Sequence, residues 1–269
     1  MGHFCGNDNR RMKGIDRTTI KQIAMLSMLL DHIGYMFFHG INEGQNAIYI
    51  TLHLVGRMAF PLFMFLLSDG FFRSRSREKF FLRLFIGAIV SEVPYDLMRF
   101  GKWLDFSSQN VMWTLLIFFG YMWVCEMLLS EMDRKFAQKK KIRPGILIRL
   151  AIGIVFAAAA WVMHADYGAY GLLAGMIMYI FMKLSAVEET SFLPMNTFGY
   201  LIAIAGMSVV WPVTMYALPS ALLVYFYKGY CMRKMPKWIG YAFYPGHMLL
   251  LWALSWLLNR YGLLPGLYD

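Results

Sequence analysis

Long apolar runs recur from Ile20 to Leu258, and they constrain the fold of this chain more than any other feature. Most are about 18 to 22 residues long, the length at which an α-helix crosses the ~30 Å hydrocarbon core of a bilayer. Hydrophobic residues make up 59% of the 269 residues and charged residues only 16%, which is more apolar surface than a soluble protein of this length needs. We therefore expect an all-α, polytopic integral membrane protein without a sizeable soluble domain.

The apolar runs predict about nine transmembrane helices. The second run is the longest, and Gly56 or Pro61 inside it is expected to break or tilt its helix. The eighth run is short and contains Pro219, so the number of spans depends on whether this run crosses the membrane. The predicted spans cover about residues 20–38, 47–72, 80–98, 111–130, 146–163, 168–184, 197–213, 215–227 and 238–258.

The basic residues predict how the chain is oriented. All Lys and Arg residues except Arg57, Arg99, Lys102 and Arg260 fall on one side of the predicted spans. Because cytoplasmic loops are enriched in Lys and Arg, that side is expected to be the cytoplasm. The predicted organisation is a cytoplasmic tail over residues 1–18, one transmembrane domain over 19–260 and an extracytoplasmic tail over 261–269.

The formal net charge of +10 does not indicate a nucleic-acid partner, because the basic residues form short clusters between apolar runs, as topology requires. The three cysteines, Cys5, Cys125 and Cys231, have no CxxC spacing, so neither a disulfide framework nor a zinc site is expected. Haem, phosphate-loop, metalloprotease and serine-hydrolase signatures are also missing from the sequence, and no metal is predicted.

Ionisable side chains lie inside the predicted spans. The stretch LSMLLDHIGYMFF, residues 26–38, places Asp31 and His32 in succession within an apolar run. A charged side chain at the bilayer centre costs about 3 kcal/mol or more unless it is paired or wet. Several such groups at similar depth, in the middle and outer layers, predict a shared polar cavity. Its other expected lining and substrate-binding residues are Arg57, Glu92, Asp96, Asn110, Asp166 and His247.

Several of these residues also allow a purely structural interpretation. Arg57 could pair with Glu92 or Asp96 and pin two helices together. Glu92, Asp96 and Asp166 could simply be wet at the outer boundary of the membrane. His247 could be a satisfied helix-packing histidine.

The partner of His32 is open at the level of sequence. Adjacent residues on a helix point about 100° apart, so Asp31 does not automatically orient His32. If His32 acts as a general base, its second nitrogen is held either by Asp31 of a distorted helix or by a carboxylate from elsewhere, such as Glu92 or Asp166.

Around these residues the sequence resembles the TraX family of bacterial membrane proteins, over about Lys21 to Leu251. Ser68-Asp69-Gly70 departs from the Glu-Gly pair that the family often has there. The matching stretches are KQIAMLSMLLDHIGYMFF, GRMAFPLFMFLLSDGFFRSRSREKFFLRLFIGAIVSEVPYDLM, QNVMWTL, ADYGAYGLL and FYPGHMLLL.

The resemblance implies an enzyme of the bacterial cytoplasmic membrane. The named member of the family acetylates the N-terminus of conjugative pilin, and similar transmembrane acyltransferases use acetyl-CoA and an intramembrane histidine. It implies that His32, with Asp31, is catalytic, as a base or as a transient acyl carrier. Arg57 or Asn110 would stabilise the developing oxyanion.

The resemblance also implies where the substrates bind. Acetyl-CoA is anionic and cytoplasmic, so basic residues there are expected to hold its phosphates while its pantetheine arm reaches His32. The acceptor, a peptide amine or a glycan, would approach from the other side among the membrane lipids. The expected donor-binding residues are Arg73, Arg75, Arg77, Lys139 and Lys140.

Two other functions fit the same residues. In a proton-coupled transporter, Asp31, His32 and Glu92 would form a relay, although no inverted repeat is visible in the sequence. A non-catalytic envelope assembly protein would tolerate neutral replacements of Asp31 and His32. Thioester consumption distinguishes the enzyme from both alternatives, and flux that depends on a proton gradient identifies the transporter.

Overall fold

The structure is a computed structural model that describes residues 14–40, 46–137, 143–185, 194–229 and 235–262. All regular structure in these ranges is helical, apart from two isolated bridges. A 3-10 helix, Pro212–Ser220, lies between the eighth and ninth α-helices. The α-helices are α1 Arg17–Phe38, α2 Ala47–Gly56, α3 Ala59–Arg73, α4 Arg77–Phe100, α5 Val111–Ala137, α6 Arg143–Val162, α7 Gly168–Ser185, α8 Met195–Val210, α9 Ala221–Tyr225 and α10 Lys237–Arg260.

These helices follow the predicted spans in order, with α2 and α3 in the second span and the 3-10 helix and α9 in the eighth. The prediction of an all-helical chain is therefore confirmed for the described residues. Four stretches in them are long and apolar enough to cross a membrane, by length and composition: Ala47–Arg73, Val111–Asp133, Gly145–Val162 and Gly168–Ser185. The total of nine spans and the sides of the two termini stay predictions.

The second predicted span is broken next to Gly56, one of the two places where a break was expected. Helix α2 ends at Gly56, and Arg57 N–H donates to the carbonyl oxygens of His53 and Leu54, at 3.2 and 3.3 Å. Pro61 lies in the first turn of α3, where a missing N–H disturbs the helix least. A Cβ on Gly56 would lie 2.6 Å from Asp31 Cγ, so the absence of a side chain lets α1 approach the break closely.

Helix α3 forms the centre of the core. Its residues from Ala59 to Phe71 are nearly all buried, and they pack against α1, α5, α7 and α8. Phe71 meets Phe119 of α5 in a T-shaped contact with ring centroids 5.1 Å apart, and Phe65 meets Tyr200 of α8 at 6.1 Å. Because this interior is filled by apolar side chains, polar groups collect toward the two ends of α3.

The turn between α6 and α7, residues 163–167, is hydrogen-bonded to the segment before α5, and we call this turn the clasp. Gln109 N–H donates to the His164 carbonyl, and Asp166 N–H donates to the Gln109 carbonyl, each at 2.9 Å. His164 and Tyr167 have φ angles of 49° and 61°, a left-handed conformation that is uncommon for residues other than glycine. Tyr167 stacks on Phe60 of α3 with ring centroids 3.8 Å apart. The clasp thus places Asp166 and Tyr167 beside the start of α3.

Partly buried ion pairs join α5, α6 and α7 near the predicted cytoplasmic side. Arg149 Nη2 donates to Asp133 Oδ2 at 2.5 Å, and Lys183 Nζ lies 3.1 Å from the same oxygen and 2.8 Å from Glu126 Oε1. Tyr179 OH also donates to Glu126, at 2.6 Å. These basic residues therefore have structural partners in addition to any role in membrane topology.

Candidate functional site

Asp31 and His32, two successive polar residues in the second half of α1, face different neighbouring helices. Asp31 contacts α2, whereas His32 contacts α10. The helical geometry requires this separation, because successive side chains point about 100° apart. The two residues therefore belong to two adjacent pairs.

The first pair is formed by His32 and His247. His32 Nδ1 lies 2.6 Å from His247 Nε2, and His247 Nδ1 lies 2.6 Å from the carbonyl oxygen of Phe243. A carbonyl only accepts hydrogen bonds, so His247 carries its proton on Nδ1 and its Nε2 accepts. His32 then donates from Nδ1, and its own lone pair is on Nε2. His32 is thus held in the tautomer that a general base requires, by a histidine and not by any carboxylate considered from the sequence.

The second pair is formed by Asp31 and His53, with Arg57 on the opposite carboxylate oxygen. His53 Nδ1 lies 2.7 Å from Asp31 Oδ1, and Arg57 Nη2 donates to Asp31 Oδ2 at 2.7 Å. An ionised carboxylate only accepts hydrogen bonds, so Nδ1 of His53 donates and its lone pair is on Nε2. The side chains of Asp31 and Arg57 are 18% and 16% exposed, so the ion pair is largely shielded from solvent. Arg57 therefore pairs with Asp31, and not with Glu92 or Asp96.

A row of rings leads from His53 to the end of α1. Tyr49 stacks on His53 with ring centroids 5.3 Å apart, and His39 meets Tyr49 at 5.0 Å. Tyr35 follows at 5.3 Å from His39, and the guanidinium of Arg99 lies 5.1 Å above the Tyr35 ring. His39 is exposed, so these rings connect the Asp31–His53 pair with the surface.

Asp166 and Tyr167 lie on the remaining side of the two pairs. Both are close enough to interact electrostatically with Arg57, and Asp166 also interacts with Arg99. Asp166 Oδ1 accepts a hydrogen bond from its neighbour's backbone N–H at 3.1 Å. The clasp between α6 and α7 thus contributes a carboxylate and a phenol to this polar region.

Glu92 and Asn110 form a brace between α4 and the start of α5. The Asn110 amide donates to the Ala88 carbonyl at 2.9 Å and to Glu92 Oε2, which also accepts from Trp113 Nε1 at 2.8 Å. Asn110 Oδ1 accepts from the backbone N–H of Met112 at 2.9 Å, as in a helix cap. Asn110 is fully buried, so an oxyanion role would require these contacts to break.

Asp96 is fully buried near the same end of α4 and holds the following loop. Its Oδ2 accepts from the backbone N–H of Asp105 at 2.9 Å, and its Oδ1 has no hydrogen-bond partner among the described residues. Hydrogen bonds from the hydroxyl and N–H of Ser107 and from Lys102 lower the pKa of Asp105, in that exposed loop, to about 2. Asp96 thus anchors the loop rather than pairing with Arg57.

Three of the expected donor-binding residues lie around the turn between α3 and α4. Arg73 pairs with Asp69 at 2.8 Å, Arg75 is exposed, and the guanidinium of Arg77 lies 4.5 Å above the Phe71 ring. Lys139 and Lys140 lie outside the described residues.

His53 is the main site residue that the sequence interpretation missed. It precedes Arg57 by four residues, so both lie on one face of α2 or its end, and this spacing inside an apolar run was the available signal. The described residues include no group of three or more His, Cys, Asp or Glu side chains that could hold a metal ion. The arrangement instead offers two histidines whose Nε2 atoms are not used by the hydrogen bonds described above, and one fixed guanidinium, which suits proton transfer next to a developing negative charge.

Comparisons with known proteins identify the family to which the chain belongs. The chain is 25% identical over 249 residues to a protein from Dichelobacter nodosus named as probable fimbrial assembly protein FimC, serogroup H1. The match covers 86% of this chain and 92% of that protein. No solved structure matches the chain. The family described as TraX protein matches residues 16–255, which include every residue of the two pairs, and the chain belongs to this family.

Proposed function

We propose that this protein is a membrane-embedded acetyltransferase, which moves an acetyl group from cytoplasmic acetyl-CoA to an amine or hydroxyl of an extracytoplasmic acceptor. The observation that carries the proposal is the hydrogen-bonded series from the Phe243 carbonyl through His247 to His32. A histidine that only packs between helices can use any hydrogen-bond partner. This series instead orients His32 so that its Nε2 lone pair is available to accept a proton.

The proposed reaction needs one base and one stabilised oxyanion. The amine nitrogen of the acceptor attacks the thioester carbonyl carbon, and His32 Nε2 takes a proton from that amine. The tetrahedral intermediate collapses with cleavage of the carbon–sulfur bond, and the proton on His32 passes to the departing thiolate. The products are the acetylated acceptor and the free thiol, and no other reactant is consumed.

Arg57 is the group best suited to stabilise the oxyanion, because Asn110 is occupied in the brace. Asp31 holds one end of the guanidinium, and Arg57 Nε also donates to the His53 carbonyl at 3.4 Å. A fixed cation in a low-dielectric site stabilises developing negative charge without having to reorganise. His53 supplies a second base beside it, which suits an acceptor that arrives as an ammonium and must lose two protons in total.

The name of the Dichelobacter relative favours an acceptor in a fimbrial apparatus. A fimbrial subunit presents an amine at its N-terminus, and an amine is the stronger nucleophile of the two acceptor types. The proposed substrate is therefore a subunit amine that reaches His32 from the extracytoplasmic side.

Release of coenzyme A thiol by detergent-purified protein tests the proposal. The acceptor is a peptide with a free N-terminal amine, and the assay compares the wild type with His32→Gln and with His164→Asn. His164 is an exposed histidine in the clasp, and asparagine tolerates its positive φ. We expect thiol release from the wild type and the His164 variant, and a loss of about a hundredfold or more in His32→Gln.

Two results would overturn the proposal. Full activity in a folded His32→Gln protein contradicts the role of the histidine. A wild-type protein that is folded, as judged by thermal unfolding, but neither binds acetyl-CoA nor releases thiol is better described as an assembly protein or a transporter.

A further inference from the structure

Basic residues from three parts of the chain come together at the predicted cytoplasmic end of the helices, and we call Arg17, Lys21, Arg73 and Lys228 the cation cluster. Arg17 and Lys21 are one turn apart at the start of α1, and Arg73 ends α3. Lys228 follows α9 and joins the chain before α1, because its N–H donates to the Ile15 carbonyl at 3.2 Å. Three separate parts of the fold thus bring positive charge to one place.

A single carboxylate, that of Asp69, organises the two arginines. Arg73 Nε donates to Asp69 Oδ1 at 2.8 Å, and Arg17 Nε lies 3.7 Å from Oδ2. Tyr227 OH donates to the same Oδ2 at 2.8 Å. Asp69 is buried, so its contacts fix the guanidinium groups, which remain partly exposed.

Glycine backbones allow three of the cations to pack closely. A Cβ on Gly70 would lie 2.5 Å from Arg17 Nη2. A Cβ on Gly240 would overlap Lys21 Nζ, and one on Gly229 would overlap Arg73 Nη2. These cations therefore have defined positions, unlike basic residues that only determine membrane topology. The three pairs are Arg17 with Gly70, Lys21 with Gly240 and Arg73 with Gly229.

The cluster has more positive than negative charge. Asp69 pairs with two of its four cations, Arg17 and Arg73, and the nearby carboxylate of Asp16 is used to cap α1 through the Thr19 N–H and hydroxyl. Across the described ranges, no carboxylate forms an ion pair with Lys21 or Lys228. Like charges held together repel one another, and this repulsion is relieved when an anion binds between them.

We propose that the cation cluster binds the phosphate groups of a cytoplasmic ligand, and that this ligand is the nucleotide end of the acetyl donor. The identity of the ligand rests on the proposed function, whereas phosphate binding by the cluster does not. The first turn of α10, which contacts Lys21 at Gly240, has no side-chain cap, and a helix N-terminus of this kind favours the same anion. The proposal moves the donor site from the expected Arg75, Arg77, Lys139 and Lys140 to the start of α1.

The distance along α1 agrees with such a ligand. Lys21 and His32 are separated by about 16 Å, at 1.5 Å per residue. A pantetheine arm corresponds in length to roughly four or five extended residues, and it reaches about 16 Å. A donor whose phosphates lie in the cluster would therefore present its thioester near His32.

Binding measurements on the purified full-length protein test this proposal without any acetyl transfer. Isothermal titration in an uncharged detergent with coenzyme A, and with its adenosine bisphosphate fragment, compares the wild type with Lys21→Gln and Arg17→Gln. Lys102→Gln is the control, because it removes the same charge from the outer loop, where Lys102 pairs with Asp105. Lys21→Gln keeps the test decisive if Arg17→Gln does not fold, because Arg17 also donates to the Leu66 carbonyl at 3.0 Å.

We expect saturable binding of both probes to the wild type. The affinity should fall roughly tenfold to a hundredfold in each cluster variant, because each loses one charge-assisted hydrogen bond to the ligand. The affinity should be unchanged in Lys102→Gln. A second arm measures thermal unfolding in nanodiscs of phosphatidylglycerol or phosphatidylcholine. If only phosphatidylglycerol stabilises the protein, and the cluster variants lose that effect, the phosphate site stands and its occupant is a lipid headgroup.

Equal coenzyme A affinity in the wild type and Lys21→Gln, together with no lipid effect, overturns the proposal. Nucleotide binding that depends on the cluster, in a protein that transfers no acetyl group, contradicts the proposed function and leaves the phosphate site intact.

Discussion

Replacing Asp31 by asparagine tests how strongly the ion pair with Arg57 joins α1 to the break between α2 and α3. The change preserves the size of the side chain and removes its charge. It weakens the contacts with Arg57 Nη2 and His53 Nδ1, both 2.7 Å long, and leaves the guanidinium without its carboxylate.

The expected cost is large because the pair is shielded from solvent. The side chains of Asp31 and Arg57 are only 18% and 16% exposed, and a charge that loses its partner in such surroundings costs about 3–5 kcal/mol. Adding Arg57→Gln removes the unpaired charge, so the double variant is expected to recover about 1–3 kcal/mol relative to Asp31→Asn alone. The sign of this recovery follows from the desolvation of Arg57 and does not depend on any catalytic role.

Equilibrium unfolding in mixed micelles of a mild detergent and sodium dodecyl sulfate measures the free energy of unfolding of the wild type and of each variant. Asp105→Asn is the matched control, since it removes a carboxylate from an ion pair with the exposed Lys102 and is expected to have little effect. If Asp31→Asn is as stable as the wild type, or if the double variant is less stable than Asp31→Asn, the assignment of a buried, mutually dependent pair is wrong.

Three further predictions follow from the geometry. Gly56→Ala should destabilise the protein by about 1–3 kcal/mol in the same unfolding assay, because its Cβ would meet Asp31, whereas Gly206→Ala, with no atom within 4 Å, should not. His247→Phe should lower acetyl transfer about a hundredfold with little change in fold, because His32 Nδ1 loses the hydrogen-bond acceptor that orients its ring. Normal thiol release by this variant would contradict the prediction. The lowered pKa of Asp105, about 2 against its usual 3.8, means that its stabilising hydrogen bonds act fully above about pH 4 and are lost as the pH falls toward 2. Pepsin should therefore cleave the outer loop faster in Asp105→Asn than in the wild type at pH 4, and this difference should shrink as the pH falls through about 2; a difference that stays constant over this range would refute the assignment.

The sequence predicted the helical class and the break near Gly56, because both depend on local properties: the length of apolar runs and the conformational preferences of glycine and proline. It also placed Asp31, His32 and Arg57 at similar depth, which needs only the rise per residue of a helix. These expectations involve no knowledge of which helices are neighbours.

The partners within the site depend on tertiary packing and were harder to predict. Contact between His32 and His247 requires α1 and α10 to be adjacent, although the two residues are 215 positions apart. Asn110 was a candidate for stabilising the oxyanion, yet the proximity of α4 uses both of its donor hydrogens. His53 was overlooked because a single histidine in an apolar run is ordinary until its spacing from Arg57 is considered.

The position of Arg57 at the end of α2 couples the site to the backbone. Its N–H and its Nε both bond to the His53 carbonyl, so the residue that holds Asp31 also closes the last turn of the helix that carries His53. Moving the guanidinium away from Asp31 would therefore also remove its Nε bond to that turn. Occupancy of the site and the shape of α2 are linked through one side chain, and by thermodynamic reciprocity a force on α2 also changes the affinity for an anion that binds Arg57.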